Sequence, residues 1–232
     1  MARPRLFGGT DPADVASANA VAVIGLGRFG QSLALELVDN DTEVLAIDAR
    51  EDVVQALNGR LTHVVRGDAT REEVLRQLAI PEFDRVVVAI GSDVEASILV
   101  TSLLLRFKVR HIWAKAVSEA HGTILEQLGV QHVVYPEKDM GKRVAHLVRG
   151  SMQDYIEIEP GFALIKTTVP ASAVGVPLGQ SKVRTEHGVT VAAVKRAGQP
   201  WTYATETTVL ERDDIILVTG PTQKAERFSQ RD

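Results

Sequence analysis

The sequence predicts an α/β protein: a doubly wound parallel sheet with helices on both faces, followed by a second, smaller α+β lobe. Three observations predict it. Between residues 20 and 135, short β-branched runs alternate with segments of helical spacing, the pattern of successive βαβ units. Runs such as VVVAI (86–90) are apolar without alternation, which implies burial on both faces, as in a parallel sheet. From residue 154 the character changes to alternating runs punctuated by Pro and Gly, the mark of strands wet on one face and joined by turns.

Each element follows in order. VAVIG (21–25), EVLAID (43–48), THVVRGD (62–68), RVVVAIG (85–91), RHIWAKAV (110–117) and QHVVYP (131–136) read as strands. Helical spacing recurs at 29–38, 51–59, 71–79, 93–106 and 119–128. Together they make residues 20–136 a Rossmann-type lobe. EKDMGKRVAHLVRGSM leaves the sixth strand, and 137–153 reads as a connecting crossover helix. YIEIE, ALIKTTV, VTVAAVKR and DDIILVTG then make 154–232 a β-rich C-terminal lobe of four or five strands, with a short helix near 178–187. Residues 1–19, rich in Ala, Asp, Gly and Pro, read as a disordered leader.

Composition narrows the function. The chain has 232 residues, 45% hydrophobic and 24% charged, with a net charge of −4; bulk charge therefore advertises neither nucleic acid nor an anionic membrane. There are no cysteines, which excludes disulfides, thiol catalysis and thiolate metal sites. No segment approaches the roughly 20 apolar residues of a membrane span. ASILVTSLLL is too short and runs into Arg106 and Lys108. The N-terminus lacks the apolar core of a signal peptide.

The chemistry-bearing positions gather at strand ends. In VIGLGRFG, Gly25, Gly27 and Gly30 follow a strand and open a helix, and Asp48 closes the second strand 23 residues after Gly25. Glycines there allow a tight turn and close backbone approach. Helix N–H groups face a phosphate, and the acid accepts hydrogen bonds from ribose. Nucleotide binding follows, and Asp48 would repel a 2′-phosphate, so NADP is disfavoured. Arg28, beside Phe29, stands where a helix N-terminus disfavours a cation. It is either a solvated arginine or a guanidinium meeting extra phosphate charge.

GDAT (67–70), AIG (89–91) and WAK (113–115) end further strands on the same edge, where open α/β sheets bind ligands. Asp68 is open to two readings, a site residue with Ala69 and Thr70 or a helix cap. Ile90 and Gly91 lie at the fourth strand end. Lys115 is a ligand contact or a solvated lysine, and Glu137 a ligand contact or an acid favoured by a helix N-terminus. The six histidines form no HxxxH or HxH pair. Tyr155, Trp201 and Tyr203 read as packing or interface residues.

VIGLGRFG, AID, GDAT, VVVAIG, IWAKA and PEKDMG, in this order, resemble the RCK (regulator of K⁺ conductance) domain family, and most the soluble regulatory subunits of Ktr-type potassium transporters, with the Trk-associated regulator next. The resemblance implies a non-enzymatic, cytoplasmic gating subunit that binds ATP, ADP or NAD(H). It would assemble as a homodimer and then an octameric ring, on the inner face of a membrane K⁺ transporter subunit. ATP would favour the active ring shape and ADP the inactive one. Asp48 would hold the ribose, and the backbone at 68–70 and 89–91 the adenosine. Arg28 would reach the terminal phosphates across the dimer interface. Glu137 would lie near them and share a cation, Mg²⁺ or Ca²⁺, with Lys115 a further contact. Relatives also bind cyclic di-AMP on the C-terminal lobe. Arg184 would be the anchor, although the family's asparagine is Thr190 here.

The competing readings are an NAD(H)-dependent oxidoreductase or NAD(H)-redox sensor, and a DNA-binding repressor. The oxidoreductase would need an acid–base residue beside the nicotinamide. The repressor would need a basic helix-turn-helix, for which 1–19 is too short, so no nucleic-acid partner is expected.

Overall fold

Six strands of the first unit lie in one parallel sheet, in the order β3-β2-β1-β4-β5-β6. They are β1 (Val21–Ile24), β2 (Val44–Asp48), β3 (His63–Arg66), β4 (Arg85–Val88), β5 (His111–Lys115) and β6 (His132–Val134). The computed structural model describes residues 20–149 and 152–230. The expected leader, 1–19, lies outside them. The chain divides into two units between Glu137 and Lys138.

Every residue of β1 and β2 is buried. Side chains alternate across a strand, so Ile24, Leu45, Ile47, Val86 and Val88 pack on one face of the sheet, and Val21, Val23, Val44, Ala46 and Val87 on the other. Each fully buried Val, Leu or Ile contributes about 1.5–3 kcal/mol. Two apolar faces per strand are why the sequence shows no alternation here.

Five helices fill the crossovers: α1 (Arg28–Asp39), α2 (Glu51–Leu57), α3 (Glu72–Gln77), α4 (Val94–Arg106) and α5 (Glu119–Leu128). Asp93 caps α4 by accepting from the Ala96 N–H at 2.9 Å. Ser118 caps α5 by accepting from the His121 N–H at 3.1 Å. Gly129, at φ +97°, ends α5 in the left-handed region that favours glycine. The stretch ASILVTSLLL lies within α4, where Val100 and Leu104 are fully buried. No helix among the described residues is long and apolar enough to cross a membrane.

His121 is 2% exposed, and burial pushes its imidazole below the ordinary value of 6.5. The folded chain therefore keeps His121 neutral at pH values where the unfolded chain binds a proton. Its stability contribution is complete above pH 6.5 and is lost as pH falls below 6.5 towards the lower folded value. Thermal melts between pH 7.5 and 5.5 should show a steeper loss for wild type than for His121→Gln.

The helix α6 (Pro136–Arg149) begins with proline at its first position, where the absent N–H costs nothing. It covers most of the helix expected over 137–152, and residues 150–151 lie outside the described set. In the second unit, β7 (Asp154–Glu159), β8 (Phe162–Thr168), β9 (Thr190–Lys195), β10 (Thr202–Tyr203) and β11 (Ile215–Pro221) form a sheet in the order β10-β9-β11-β8-β7. All its pairings are antiparallel.

Here one face is buried, and the alternation in β8 and β11 follows. Ile165, Ile216, Val218, Leu210 and Phe228 make the core. Arg143 of α6 braces β7, with Nε and Nη2 donating to Asp154 Oδ1 at 3.0 and 2.6 Å. Two details differ from the sequence expectation. The helix expected near 178–187 is a five-residue π-type turn, Val183–His187, between left-handed residues at Lys182 and Gly188. A terminal helix α7 (Thr222–Ser229), which the sequence reading does not assign, closes the unit by burying Ala225 and Phe228.

Candidate functional site

The strand order reverses between β1 and β4, and the glycine turn sits at that switch point, where α/β sheets open a crevice. The three glycines do three different things. Gly25 has φ +95°, and a Cβ on it would stand 2.9 Å from both N and Cγ1 of Ile90. Ile90 therefore acts by closing the turn. Gly30 lies inside α1, where a Cβ would overlap the Gly25 carbonyl oxygen and crowd Ala89 Cβ at 3.1 Å. Gly27 is the N-cap of α1 and makes no side-chain cap bond. A Cβ there would meet nothing within 4 Å. The first N–H groups of α1 have no intrahelical acceptor and open onto that space.

Asp48, 9% exposed at the end of β2, fixes the turn. Its Oδ2 accepts from the Leu26 N–H at 2.7 Å, and its Oδ1 from Arg50 N and Nε at 2.9 and 3.3 Å. A carboxylate has about four acceptor positions, so one remains for a ribose hydroxyl. Gln31 adds a brace, its Nε2 donating to the Leu26 carbonyl at 2.8 Å. Neither Arg50 nor Gln31 is picked out by the sequence motif, although both lie within a few residues of it.

At the end of β3 the alternatives for Asp68 separate. Arg71, not Asp68, occupies the N-cap of α3, so the helix-cap reading is corrected. Asp68 Oδ1 accepts from Thr70 N at 3.0 Å and Thr70 Oγ1 at 2.6 Å. This local turn shapes the backbone from 68 to 70, and the buried Ala69 anchors it to the core. Glu72 is structural: it pairs with Arg76 at 2.8 Å and with Arg106.

The ends of β4, β5 and β6 converge on one ammonium group. Lys115 is buried, at 8% exposure, and its Nζ donates to Glu137 Oε1 at 2.6 Å. The same Nζ lies 5.8 Å from the centre of the Phe29 ring, and a Cβ at Gly91 would stand 3.2 Å from it. Glu137 is in the first turn of α6, within the first unit. The hydrogen bond from Lys115, aided at longer range by the Arg28 charge, holds its carboxyl below the ordinary value. Glu137 therefore stays ionised at neutral pH. Arg28 is exposed, is the first residue of α1, and has no acid in its helix turn. Phe29, Gly91, Lys115 and Glu137 thus come together beside Arg28. The spacing of 22 residues between Lys115 and Glu137 carries no sequence signal for this pair. Arg184 is exposed on the Val183–His187 turn of the second unit.

Comparison with known proteins fits this architecture. The TrkA-N domain model matches residues 21–136 and the TrkA-C domain model residues 162–231. Ktr system potassium uptake protein C of Bacillus subtilis (strain 168) is 37% identical over 90% of this chain and 96% of its own length. Protein A of the same system and organism is 34% identical over 89% of this chain and 94% of its own. Among solved structures, the RCK domain of GsuK superposes with a TM-score of 0.63 at 18% identity, over 92% of this chain and 48% of that one. The GsuK channel bound to NAD gives 0.62 at 17% identity, over 90% and 38%. GsuK bound to ADP gives 0.50 at 25% identity, over 59% and 36%. Matched over half of its length by the TrkA-N model, and along nearly all of it by Ktr proteins, the chain belongs to the TrkA-N/TrkA-C family of RCK-type proteins and is a relative of the Ktr potassium uptake proteins.

Proposed function

We propose that the chain is a nucleotide-sensing regulatory subunit of a membrane K⁺ uptake transporter, switched by ATP against ADP in the crevice at the switch point. One observation carries this reading: the ion pair between the buried Lys115 and the exposed Glu137, 2.6 Å apart, stands beside Arg28 at the mouth of an uncapped glycine turn. Asp48 takes the ribose. The N–H groups at the start of α1, Lys115 and the guanidinium of Arg28 take the phosphates, Arg28 acting on the nucleotide held by the partner of a dimer. Such dimers assemble into a ring on the cytoplasmic face of the transporter. The neighbouring structures bound to NAD and to ADP support an adenine nucleotide here. The chain performs no catalysis in this role.

The switch lies in charge. Glu137 is already ionised and paired, so a third phosphate brings negative charge towards an anion. Either a cation joins them or Lys115 shifts between the two. Mg²⁺ or Ca²⁺ fits in one form only. Glu137 offers one carboxylate, and no cluster of three or more His, Cys, Asp or Glu able to hold a metal exists among the described residues. Phosphate oxygens would have to complete the shell. A nucleotide shifts a two-state assembly only by its differential affinity, and a swing from 1:99 to 99:1 needs about 5.5 kcal/mol. Several sites acting together in a ring reach that figure more readily than one. On the C-terminal lobe, Arg184 is the residue that would anchor cyclic di-AMP.

Calorimetric titration tests the reading. ATP and ADP should bind saturably, and Lys115→Met should weaken both about tenfold, the size of one charge-assisted contact. NADPH should bind more weakly than NADH because of Asp48. A second reading, an NAD(H)-redox sensor, rests on the same Asp48. NADH binding far above both ATP and ADP would favour it, and absence of all adenine nucleotide binding would refute both.

A further inference from the structure

Between the end of β5 and the start of α5 the chain makes a turn beside the crevice. The Ala116 N–H donates to the Val134 carbonyl at 2.8 Å, which ties the turn to the end of β6. Val117 comes next. A Cβ on Gly91 would stand 3.5 Å from Val117 Cγ1 and 3.2 Å from Lys115 Nζ. Val117 and the ammonium that pairs with Glu137 therefore share the wall at Gly91.

The Val117 N–H donates to a side chain, Nδ1 of His121, at 3.4 Å. His121 lies in the first turn of α5 and is 2% exposed. An imidazole that accepts at Nδ1 is neutral and carries its proton on Nε2. That Nε2 is buried and has no hydrogen-bond partner. An orphaned buried donor is costly, and an apolar ring of similar shape would avoid the cost. Core packing alone would favour phenylalanine here; what histidine adds is the acceptor nitrogen.

We propose that His121 is a positioning residue of the nucleotide crevice. Its Nδ1 holds the Val117 turn, and with it the Lys115 side chain, in the form that receives phosphate, and it does so only while the ring is neutral. The inference rests on the nucleotide reading of the crevice. A proton on Nδ1 removes the acceptor and sets one N–H against another. Val117 is then released, and Lys115 loses its neighbour at Gly91. The competent form becomes a fraction of the population, and the apparent affinity falls by that fraction. His121 itself touches no nucleotide.

The surroundings of the ring favour the neutral form. Of the elements packed on α5, α4 buries only Ser97 and Thr101 among its polar side chains and keeps Glu95 and Arg106 exposed. β6 carries His132, which stacks on Trp113, and is followed by Tyr135, whose hydroxyl lies against Gly122. Lys115 on β5 and Glu119 on α5 are the nearest charges along the chain. Burial is the one cause that pushes the imidazole below 6.5. The ring is therefore neutral at pH 7.5. Affinity is complete there and is lost as pH falls through the lower value of the folded chain.

The test is calorimetric titration of the full chain with ADP, with His121→Phe and His121→Asn beside wild type. Phenylalanine keeps a ring and removes the acceptor. Asparagine places an oxygen near the position of Nδ1 and does not titrate. Melting temperatures check that both variants fold. At pH 7.5, His121→Phe should weaken ADP about fivefold, the size of one neutral hydrogen bond, and His121→Asn less than about twofold. In acid, wild type should fall towards His121→Phe, whereas His121→Asn should follow only the protonation of the nucleotide. The ring C–H resonance of His121, followed by NMR, marks the pH at which wild type should fall. His121→Phe binding as tightly as wild type at pH 7.5 overturns the proposal. So do parallel pH profiles of wild type and His121→Asn, and so does His121→Asn weakened as much as His121→Phe, which would assign the effect to ring packing. Absence of ADP binding to wild type at pH 7.5 would instead refute the nucleotide reading, and this inference with it.

Discussion

Arg28→Ala should lower ATP affinity tenfold or more while changing ADP affinity little, so that the ratio of the two falls towards one. Arg28 is the first residue of α1, is exposed, and has no acid in its turn. Its cost in the empty site is a few tenths to about 1 kcal/mol against the helix dipole, which a solvated guanidinium tolerates. A charge-assisted hydrogen bond to phosphate contributes about 1.5–3 kcal/mol, so the gain with nucleotide exceeds the cost without it. The fold should be untouched, and losing a cation from the helix N-terminus should if anything raise the melting temperature slightly. Calorimetry with both nucleotides, together with a thermal melt, reads both effects. An unchanged ratio would leave Arg28 as a surface residue.

Two glycine substitutions should divide stability from binding. Gly30→Ala places a Cβ on the Gly25 carbonyl oxygen and against Ala89. Since the neighbours are backbone and core, the cost should lie at or above the upper end of the roughly 1–3 kcal/mol typical of overpacking. The gain of about 1 kcal/mol from Gly to Ala in a helix does not offset it. A loss of roughly 6–12 °C in melting temperature is expected, with loss of nucleotide following from the displaced turn. Gly27→Ala meets open space and an ordinary backbone with φ −69°. Its stability cost should stay near the ~1 kcal/mol of a poorer N-cap. Nucleotide affinity should nevertheless fall sharply, because the methyl group stands where phosphate must approach the helix. Differential scanning calorimetry and titration of the same two proteins would separate these outcomes. Equal nucleotide affinity in Gly27→Ala and wild type would remove the turn from the site.

What the sequence makes legible follows from which forces are local. The central strands of the parallel sheet are readable because β1, β2 and β4 are buried on both faces, and Val21–Ile24 has no polar position; the edge strands β3 and β6 are only half-buried and are read from their β-branched runs. The glycine roles are readable because a turn of this kind tolerates no Cβ at Gly25 and Gly30. The Lys115–Glu137 pair is not readable, because it joins two strand ends that meet only through sheet order. Asp68 is ambiguous because an acid before a helix either caps it or turns back on its own chain, and only the start of α3 at Glu72 decides. The terminal helix escapes notice because TQKAERFS buries only Ala225, Phe228 and Ser229, too few for a visible stripe. The bond from the Val117 N–H to the His121 ring has no sequence signature at all.

The most direct measurement is a crystal structure of the full chain grown with saturating ATP. Expected is the adenosine ribose on Asp48 and the triphosphate over the Gly27 N-cap, with Lys115 on its oxygens and the γ-phosphate within hydrogen-bonding distance of an Arg28 guanidinium. A crevice without nucleotide, or a triphosphate bound away from both Lys115 and Arg28, would contradict it.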